Sequence, residues 1–344
     1  MKTDSRADIT IYDIARQLNL SAATVSRALK DHPAINSKTK KKINELATEL
    51  GYRSNNFASN LRRGRTNTIG VLVHELNSGF ISSVLAGIEK VTTEANYDLL
   101  IAQSSESAKK EIANANNLFH KRVDGLIASL SFDTENLAHF DPFVKKGIPL
   151  IFFDRVFEDS EGAKVVIDNF RAGYDMTQHL INQGCKRIMH VTASLKRNVY
   201  ADRLRGYKQA LADNSIKYDD DLVVVNGLEE SDGIETAQRV LRMKKKPDGM
   251  FITNDFCAAV IMHHLQEEGI RIPEDIAIGG FNNDVMGKII SPRLTTIDYP
   301  GVQMGEIAAR NLISHLDGSA TLTHTNKIII KSELIIRESS VRNS

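Results

Sequence analysis

Near the N-terminus, three short stretches carry apolar residues at helical spacing and are separated by polar breaks. Ile11, Ile14, Ala15 and Leu18 form one apolar stripe, with Thr10 as the N-cap and Asp13 in the first turn, where a carboxylate suits the helix dipole. Asn19 and Leu20 break the pattern. Ser21 then caps a second helix through Leu29, whose inner face is Val25, Ala28 and Leu29, and Asp31-His32-Pro33 ends it. A third helix is expected over 38–50, capped by Asn36 or Ser37 and stopped by Gly51. A fourth segment, 55–63, places Ala58 and Leu61 on one side, but a helix this brief is marginal alone in water. It is expected to order against DNA or against its copy in a second subunit.

From Asn67 the texture becomes alternating α/β. Strands are expected at 69–74, 98–102, 125–128, 149–153 and 164–167, alternating with helices over 80–95, 107–121 and 137–145. A second series has strands at 187–192, 222–225, 249–253 and 276–281, with helices over 202–214, 233–243 and 258–268. A strand at 294–298, a helix over 302–316 and an extended run over 327–336 finish the chain. The halves echo each other: Val123-Asp124-Gly125-Leu126-Ile127 matches Pro247-Asp248-Gly249-Met250-Phe251. Such alternation predicts an α/β core of two lobes, each a mostly parallel sheet covered by helices, with ligands meeting the carboxyl ends of the strands in the cleft. The expected organisation is a helix-turn-helix head (1–53), a hinge (54–66), a first lobe (67–168 with 299–327) and a second lobe (169–298 with 328–344). The terminal segments cross between lobes, as in a hinged clamp.

Charge sharpens the role of the head. Of 44 basic and 43 acidic residues, residues 1–66 hold 13 and 6, so a net of +7 sits on the head and −6 on the remainder. Charge gathered at one end points to a polyanionic partner at that end. On the second helix Ala22, Ala23, Ser26 and Arg27 are left outward; an alanine methyl packs on a thymine methyl, and an arginine grips guanine bidentately. Thr24 is placed to reach a phosphate or a base edge, and Lys38, Lys40, Lys41 and Lys42 crowd a helix N-terminus, an arrangement the dipole disfavours unless phosphate lies nearby. The candidate DNA-binding residues are Thr10, Ser21, Ala22, Ala23, Thr24, Ser26, Arg27, Lys30, Asn55, Ala58 and Leu61.

No run of eighteen apolar residues occurs, the polar N-terminus lacks an apolar signal region, and Cys185 and Cys257 lie far apart in apolar segments. A cytoplasmic protein with no membrane partner and no cofactor is expected. An enzyme acting on a small metabolite is one rival, since two α/β lobes host many chemistries, but HExxH, GxSxG, GxGxxG and GxxxxGK[ST] are all missing. A stand-alone carbohydrate-binding module is the other, and the basic head weighs against it.

The head and body together resemble the LacI/GalR family of bacterial transcription regulators. The matching residues are Ile11-Tyr12-Asp13-Ile14-Ala15, Ser21 through Arg27, Gly51-Tyr52, Asn55, Ala58, Leu61 and Arg65-Thr66 in the head. In the body they include Asp154-Arg155, Arg203-Leu204-Arg205-Gly206-Tyr207, Asn254-Asp255, Gly280-Phe281 and Pro292 through Thr296. The resemblance implies a homodimeric regulator, a repressor, that binds double-stranded operator DNA and senses a sugar-like small molecule in a periplasmic-binding-protein-like core. It implies that Leu61 of each subunit enters the central minor groove, and that Phe80, Asp154, Arg203 and Asn282 hold effector. Asp255 matches a family element that serves ligand or lobe folding. Four positions depart from the family pattern: Ser54 where proline is frequent before the hinge asparagine, Ser59 where Arg or Gln is frequent, and Asn282 and Asn283 where paired aspartates follow Gly-Phe. An asparagine still binds hydroxyls as donor and acceptor but brings no charge.

Overall fold

In the computed structural model the described residues are 9–52, 65–158, 160, 162–322 and 327–342. The expected segment 55–63, with Asn55, Ala58 and Leu61, lies outside them. The chain divides into two units, Met1–Arg65 and Thr66–Ser344.

The first unit holds three helices, α1 (Ile11–Leu18), α2 (Ala22–Leu29) and α3 (Ser37–Glu49). Asn19 ends α1 in the left-handed region at φ 54°, a conformation asparagine tolerates better than most residues. Ser21 Oγ accepts the Thr24 N–H at 3.1 Å, and Asn36 Oδ1 accepts the Thr39 N–H at 2.8 Å, so Asn36 and not Ser37 caps α3. The core is small: Ile14, Val25 and Ile43 are fully buried, with Ala15, Ala28 and Ala47 between them.

The second unit contains two parallel sheets. The first has the order β11-β5-β4-β3-β1-β2, built from β1 (Thr68–Val73), β2 (Asp98–Gln103), β3 (Gly125–Ala128), β4 (Leu150–Phe153), β5 (Ala163–Ile167) and β11 (Lys327–Ile330). The second has the order β7-β6-β8-β9, from β6 (Ile188–Thr192), β7 (Val223–Val225), β8 (Gly249–Ile252) and β9 (Ala277–Gly279). The echoed Val-Asp-Gly and Pro-Asp-Gly pieces perform one job twice. Asp124 accepts the Thr66 and Asn67 N–H groups at 2.8 and 2.7 Å, just before β1; Asp248 accepts the Lys186 and Arg187 N–H groups at 3.0 and 2.8 Å, just before β6.

Each lobe is braced by a helix pair in backbone contact. In the first, α4 (Gly79–Glu94) lies against α12 (Gly301–Leu316): a Cβ on Gly87 would stand 2.1 Å from the Val302 carbonyl oxygen. In the second, α7 (Asn169–Asn182) lies against α8 (Asn198–Asp213), where a Cβ on Gly206 would stand 2.1 Å from the Phe170 carbonyl oxygen. Only glycine permits such approaches. Since α12 follows the second lobe in sequence yet packs against α4, the chain returns across the cleft.

The structure changes several expected elements. Helix α7 was not among the expected elements: its buried Ala172, Met176 and Leu180 recur every four positions, but Asn169, Gly173, Thr177 and His179 are buried beside them and dilute the apolar stripe. Helix α8 starts at Asn198 instead of 202, α9 (Glu230–Arg242) starts three residues before 233, and α10 (Asp255–Glu267) starts three before 258. Helix α9 opens on the polar run Glu230-Ser231-Asp232, whereas the first turns of α8 and α10 already carry the buried Val199, Tyr200 and Cys257. The expected run over 327–336 is two strands in different sheets. Its first part, β11, pairs with β5, whereas β12 (Glu333–Ile335) pairs antiparallel with β10 (Thr296–Asp298). Residues 328–330 therefore belong to the first lobe, and the crossing expected at 327/328 falls after Ile330.

Candidate DNA interface and effector cleft

On α2, Ser21, Ala23, Arg27 and Lys30 are exposed, while Thr24 and Ser26 are half-buried. Ala22 differs from expectation. It stands three residues before Val25 and packs on the head core, so its methyl faces inward more than outward. The Thr24 hydroxyl lies 2.8 Å from that of Ser21, and the Thr10 hydroxyl donates to Asp13 at 2.7 Å. These Thr10 hydrogen bonds, side chain first and backbone second, hold the Asp13 carboxyl below its ordinary range. The lysine cluster also separates. Lys40 donates to the Asp31 carboxylate at 2.6 Å and to the Asp31 carbonyl at 3.0 Å, tying α3 to the turn after α2. Lys38, Lys41 and Lys42 remain exposed, with Lys41 3.9 Å from Glu45.

In the core, Asp154 sits just past β4 at φ 58° and is 4% exposed. Its Oδ1 accepts from the Tyr299 hydroxyl at 2.6 Å, and Ser129 Oγ stands 3.5 Å from its Oδ2. Burial raises its carboxyl above the ordinary range, against the opposing pull of Arg155, the Tyr299 hydroxyl and Arg203. Arg203, on α8, is 3% exposed. Its guanidinium lies 3.5 Å over the Phe281 ring, its Nε donates to Asn169 at 2.9 Å, and its Nη1 reaches the Thr253 carbonyl at 3.3 Å. Phe80, at the start of α4, stacks on Tyr299 with centroids 4.1 Å apart and planes 19° apart. Phe80, Asp154 and Arg203 thus meet around one ring, Tyr299.

The other expected residues stand elsewhere. Asn282, at φ 119°, lines a cavity of about 630 Å³ with Phe80, Asp284, Asp298, Tyr299 and Gln303. Asp255 does not line it. Fully buried at the start of α10, it accepts from Thr296 Oγ1 at 2.7 Å and from the Asp284 N–H at 2.8 Å, so it holds the 282–285 loop in place. Burial pushes its carboxyl up to about 7, with the Thr296 and Asp284 bonds opposing. Asn283, the second departure from the paired aspartates, donates to Asp298 at 2.8 Å and accepts from Arg337 at 2.6 Å.

Arg155, adjacent to Asp154 in sequence, turns away from it. Both Glu106 oxygens accept from its Nη1, at 2.7 and 2.9 Å; its Nη2 donates to the Tyr200 hydroxyl at 3.2 Å; and its charge lies 4.1 Å from the Phe132 centroid. Burial disfavours the cation, but Tyr200, Glu106 and Asp154 outweigh it and keep Arg155 charged. Since Tyr200 belongs to α8, this is a bond between lobes. Two more lie nearby: Asn198 Nδ2 donates to the Asp154 carbonyl at 3.1 Å, and Arg197 Nη2 to the Thr134 carbonyl at 2.6 Å. Tyr299, Asn169 and Tyr200 carry no signal in the sequence pattern, and Phe281 is marked there only by the Gly280-Phe281 match, not as a cleft residue. Tyr299 follows a three-residue strand as a single aromatic beside Pro300, which carries no periodic signal.

Among the described residues no group of three or more His, Cys, Asp or Glu side chains could hold a metal ion, and no helix is long and apolar enough to cross a membrane. Cys185 and Cys257 are buried, and burial raises both thiols to about 12. The cleft offers aromatic faces, a carboxylate and amides, a set suited to holding a small polar ring.

Comparison with known proteins agrees with this geometry. Residues 10–55 match the family model "Bacterial regulatory proteins, lacI family", and residues 177–340 match the "Periplasmic binding protein-like domain". The HTH-type transcriptional regulator RegA of Clostridium saccharobutylicum is 33% identical over 334 residues, covering 96% of this chain and 99% of that protein. Among solved structures, the lac repressor dimer bound to operator and the anti-inducer ONPF superposes with a TM-score of 0.85 at 22% identity, covering 98% of this chain and 100% of that one. The transcriptional regulator CelR–cellobiose complex gives a TM-score of 0.72 at 24% identity over 96% of this chain and 99% of that one. The chain therefore belongs to the LacI family, and is a sequence-specific DNA-binding transcriptional regulator with a two-lobed effector-binding core.

Proposed function

We propose that the protein is a homodimeric repressor whose operator affinity is set by a neutral sugar-like effector bound between the lobes. Phe80, Asp154, Arg203 and Asn282 are the effector residues. Asp255 acts through the 282–285 loop, and its buried, hydrogen-bonded position supports that assignment. The observation that carries the reading is the convergence of an aromatic ring, a carboxylate and a guanidinium from both lobes around Tyr299, from segments as far apart as Phe80 and Arg203. The cellobiose named with one structural relative, and the operator named with another, favour the same reading.

At the DNA, Arg27, Ala23 and Ser26 supply base contacts from α2, and Thr24 positions it. Ser21 and Thr10, as helix N-caps, and Lys30, Lys38 and Lys42 lie against phosphate. Asn55, Ala58 and Leu61, in the hinge 54–66, complete the contact. Ligand changes DNA affinity by its differential affinity for the two lobe arrangements.

A thermal-shift screen over monosaccharides, oligosaccharides, sugar phosphates and nucleobases, repeated for each hit in an operator-binding assay, tests this. A neutral sugar is expected to raise the melting temperature and change operator affinity, and Asp154→Ala is expected to abolish both effects. If no compound changes operator binding, small-molecule gating is wrong and control by a protein partner takes its place.

A further inference from the structure

Tyr299 joins the two lobes through one buried ring. It lies between β10 and α12, on a segment that crosses from the second lobe to the first, yet it is only 5% exposed. Its ring stacks on Phe80 of the first lobe and meets Phe281 of the second edge-on, with centroids 5.7 Å apart and planes at 86°. Its hydroxyl donates to Asp154 at 2.6 Å, and the Arg203 guanidinium stands 5.6 Å from its centroid. Three of the four effector residues, Phe80, Asp154 and Arg203, stand around this one phenol.

We propose that the Tyr299 side chain is a built-in occupant of the ring subsite, and that the effector is a neutral six-membered ring whose own hydroxyl replaces the phenol on Asp154. The inference rests on the effector reading and deepens it. Three features set the ligand chemistry. A pyranose and a phenol have similar ring size, and both present a flat apolar face to an aromatic ring such as Phe80 while pointing a hydroxyl at a carboxylate. Asp154 has Ser129 Oγ as its other hydroxyl neighbour, at 3.5 Å, so a ligand that removes Tyr299 without supplying a donor leaves a buried carboxylate under-bonded. Arg203 is held by Asn169, by the Thr253 carbonyl and by the Phe281 face, so its charge is not directed at a ligand anion. With Asp154 beside it, the cation is already compensated, so sugar phosphates and other anions are disfavoured in this subsite. The displaced ring has a place to go: Tyr299 also lines the 630 Å³ cavity with Asn282 and Asp298.

The test uses the full chain and the Tyr299→Ala variant, with p-cresol as a probe for ring and hydroxyl and toluene for the ring alone. Calorimetric melting is expected to show p-cresol restoring most of the stability lost in Y299A, toluene restoring less than half of that, and neither changing the wild type. Equal rescue by the two probes, or none, overturns the proposal. Titrations with D-glucose, D-galactose, D-mannose and cellobiose are expected to show at least one binding Y299A tenfold or more tighter than wild type, with p-cresol competing. Weaker sugar binding in Y299A, no competition, or no binding by any of the four also overturns it. Should Y299A fail to fold, Tyr299→Phe keeps the ring and loses the hydroxyl; at least threefold tighter sugar binding is expected, and unchanged binding overturns the proposal. A nucleobase or sugar phosphate that shifts operator binding would sink this inference while leaving ligand gating intact. If nothing shifts operator binding, gating fails, and the p-cresol experiment still decides the subsite.

Discussion

The head displays most of its candidate recognition side chains on one short helix and its caps, Ser21 to Lys30, whereas the cleft collects its own from segments as distant as Phe80 and Tyr299. The head's core is a handful of small and branched apolar residues, and its polar side chains stay on the surface. The core unit buries Asp154, Arg155, Arg203 and Asp255, each held by specific partners. A solvated polar face can be read from helical spacing, because each residue's direction follows from its position on the helix. A buried polar group has value only through the partner that tertiary packing brings to it. Substitutions should therefore act locally in the head and through packing in the core.

The largest effect is expected at the α4–α12 crossing. Gly87→Ala sets a methyl 2.1 Å from the Val302 carbonyl oxygen, where backbone must move, and about 3 kcal/mol or more of core stability should be lost. The calorimetric core transition should shift down while an isolated head fragment is unaffected; an unshifted core would show that the two helices can part cheaply. Next comes Arg27→Ala, expected to weaken specific operator binding by about 1–3 kcal/mol without changing core melting. Fluorescence anisotropy against operator and scrambled DNA checks this, and equal loss on both sequences would make Arg27 a phosphate contact. Smaller again is Ser21→Ala, which removes the acceptor of the Thr24 N–H and should destabilise the head by about 1 kcal/mol, visible in head denaturation.

The remaining effect is read as a slope with pH and not as a single loss. Asp255 is raised from 3.8 to about 7 by burial, so between those values the folded chain retains a proton that the unfolded chain has lost. This contribution makes stability fall as pH rises through that window and level off above 7. Asp255→Asn removes it, so the change in core melting temperature from pH 5 to pH 8 should be smaller or reversed in the variant. An identical pH profile would place the wild-type carboxyl in its ordinary range and make its burial electrostatically silent.

Much of the molecule was legible in its sequence for identifiable reasons. The three head helices follow from Ile11, Ile14, Val25 and Ile43 at helical spacing and from caps at Ser21 and Asn36. The two parallel sheets follow from apolar strands spaced by helices, and the repeated aspartate at Asp124 and Asp248 marks equivalent strand entries. Helix α7 was not legible, because Asn169, Gly173, Thr177 and His179 are buried beside its apolar stripe of Ala172, Met176 and Leu180 and dilute it, and because its packing depends on a glycine contact with a helix that begins 29 residues after its own first residue.

Local pattern and charge distribution determined the DNA-reading head, the α/β class and the division into lobes, since each depends on the direction of a side chain relative to its own element. Tertiary structure alone decided that Ala22 packs inward, that Lys40 ties to Asp31, that Asp255 supports a loop, and that residues 328–330 join the first sheet. It also decided the content of the cleft. Nothing in the run Thr296-Ile297-Asp298-Tyr299 marks its tyrosine for Asp154, because a hydrogen bond between groups 145 residues apart exists only once both lobes have closed the distance.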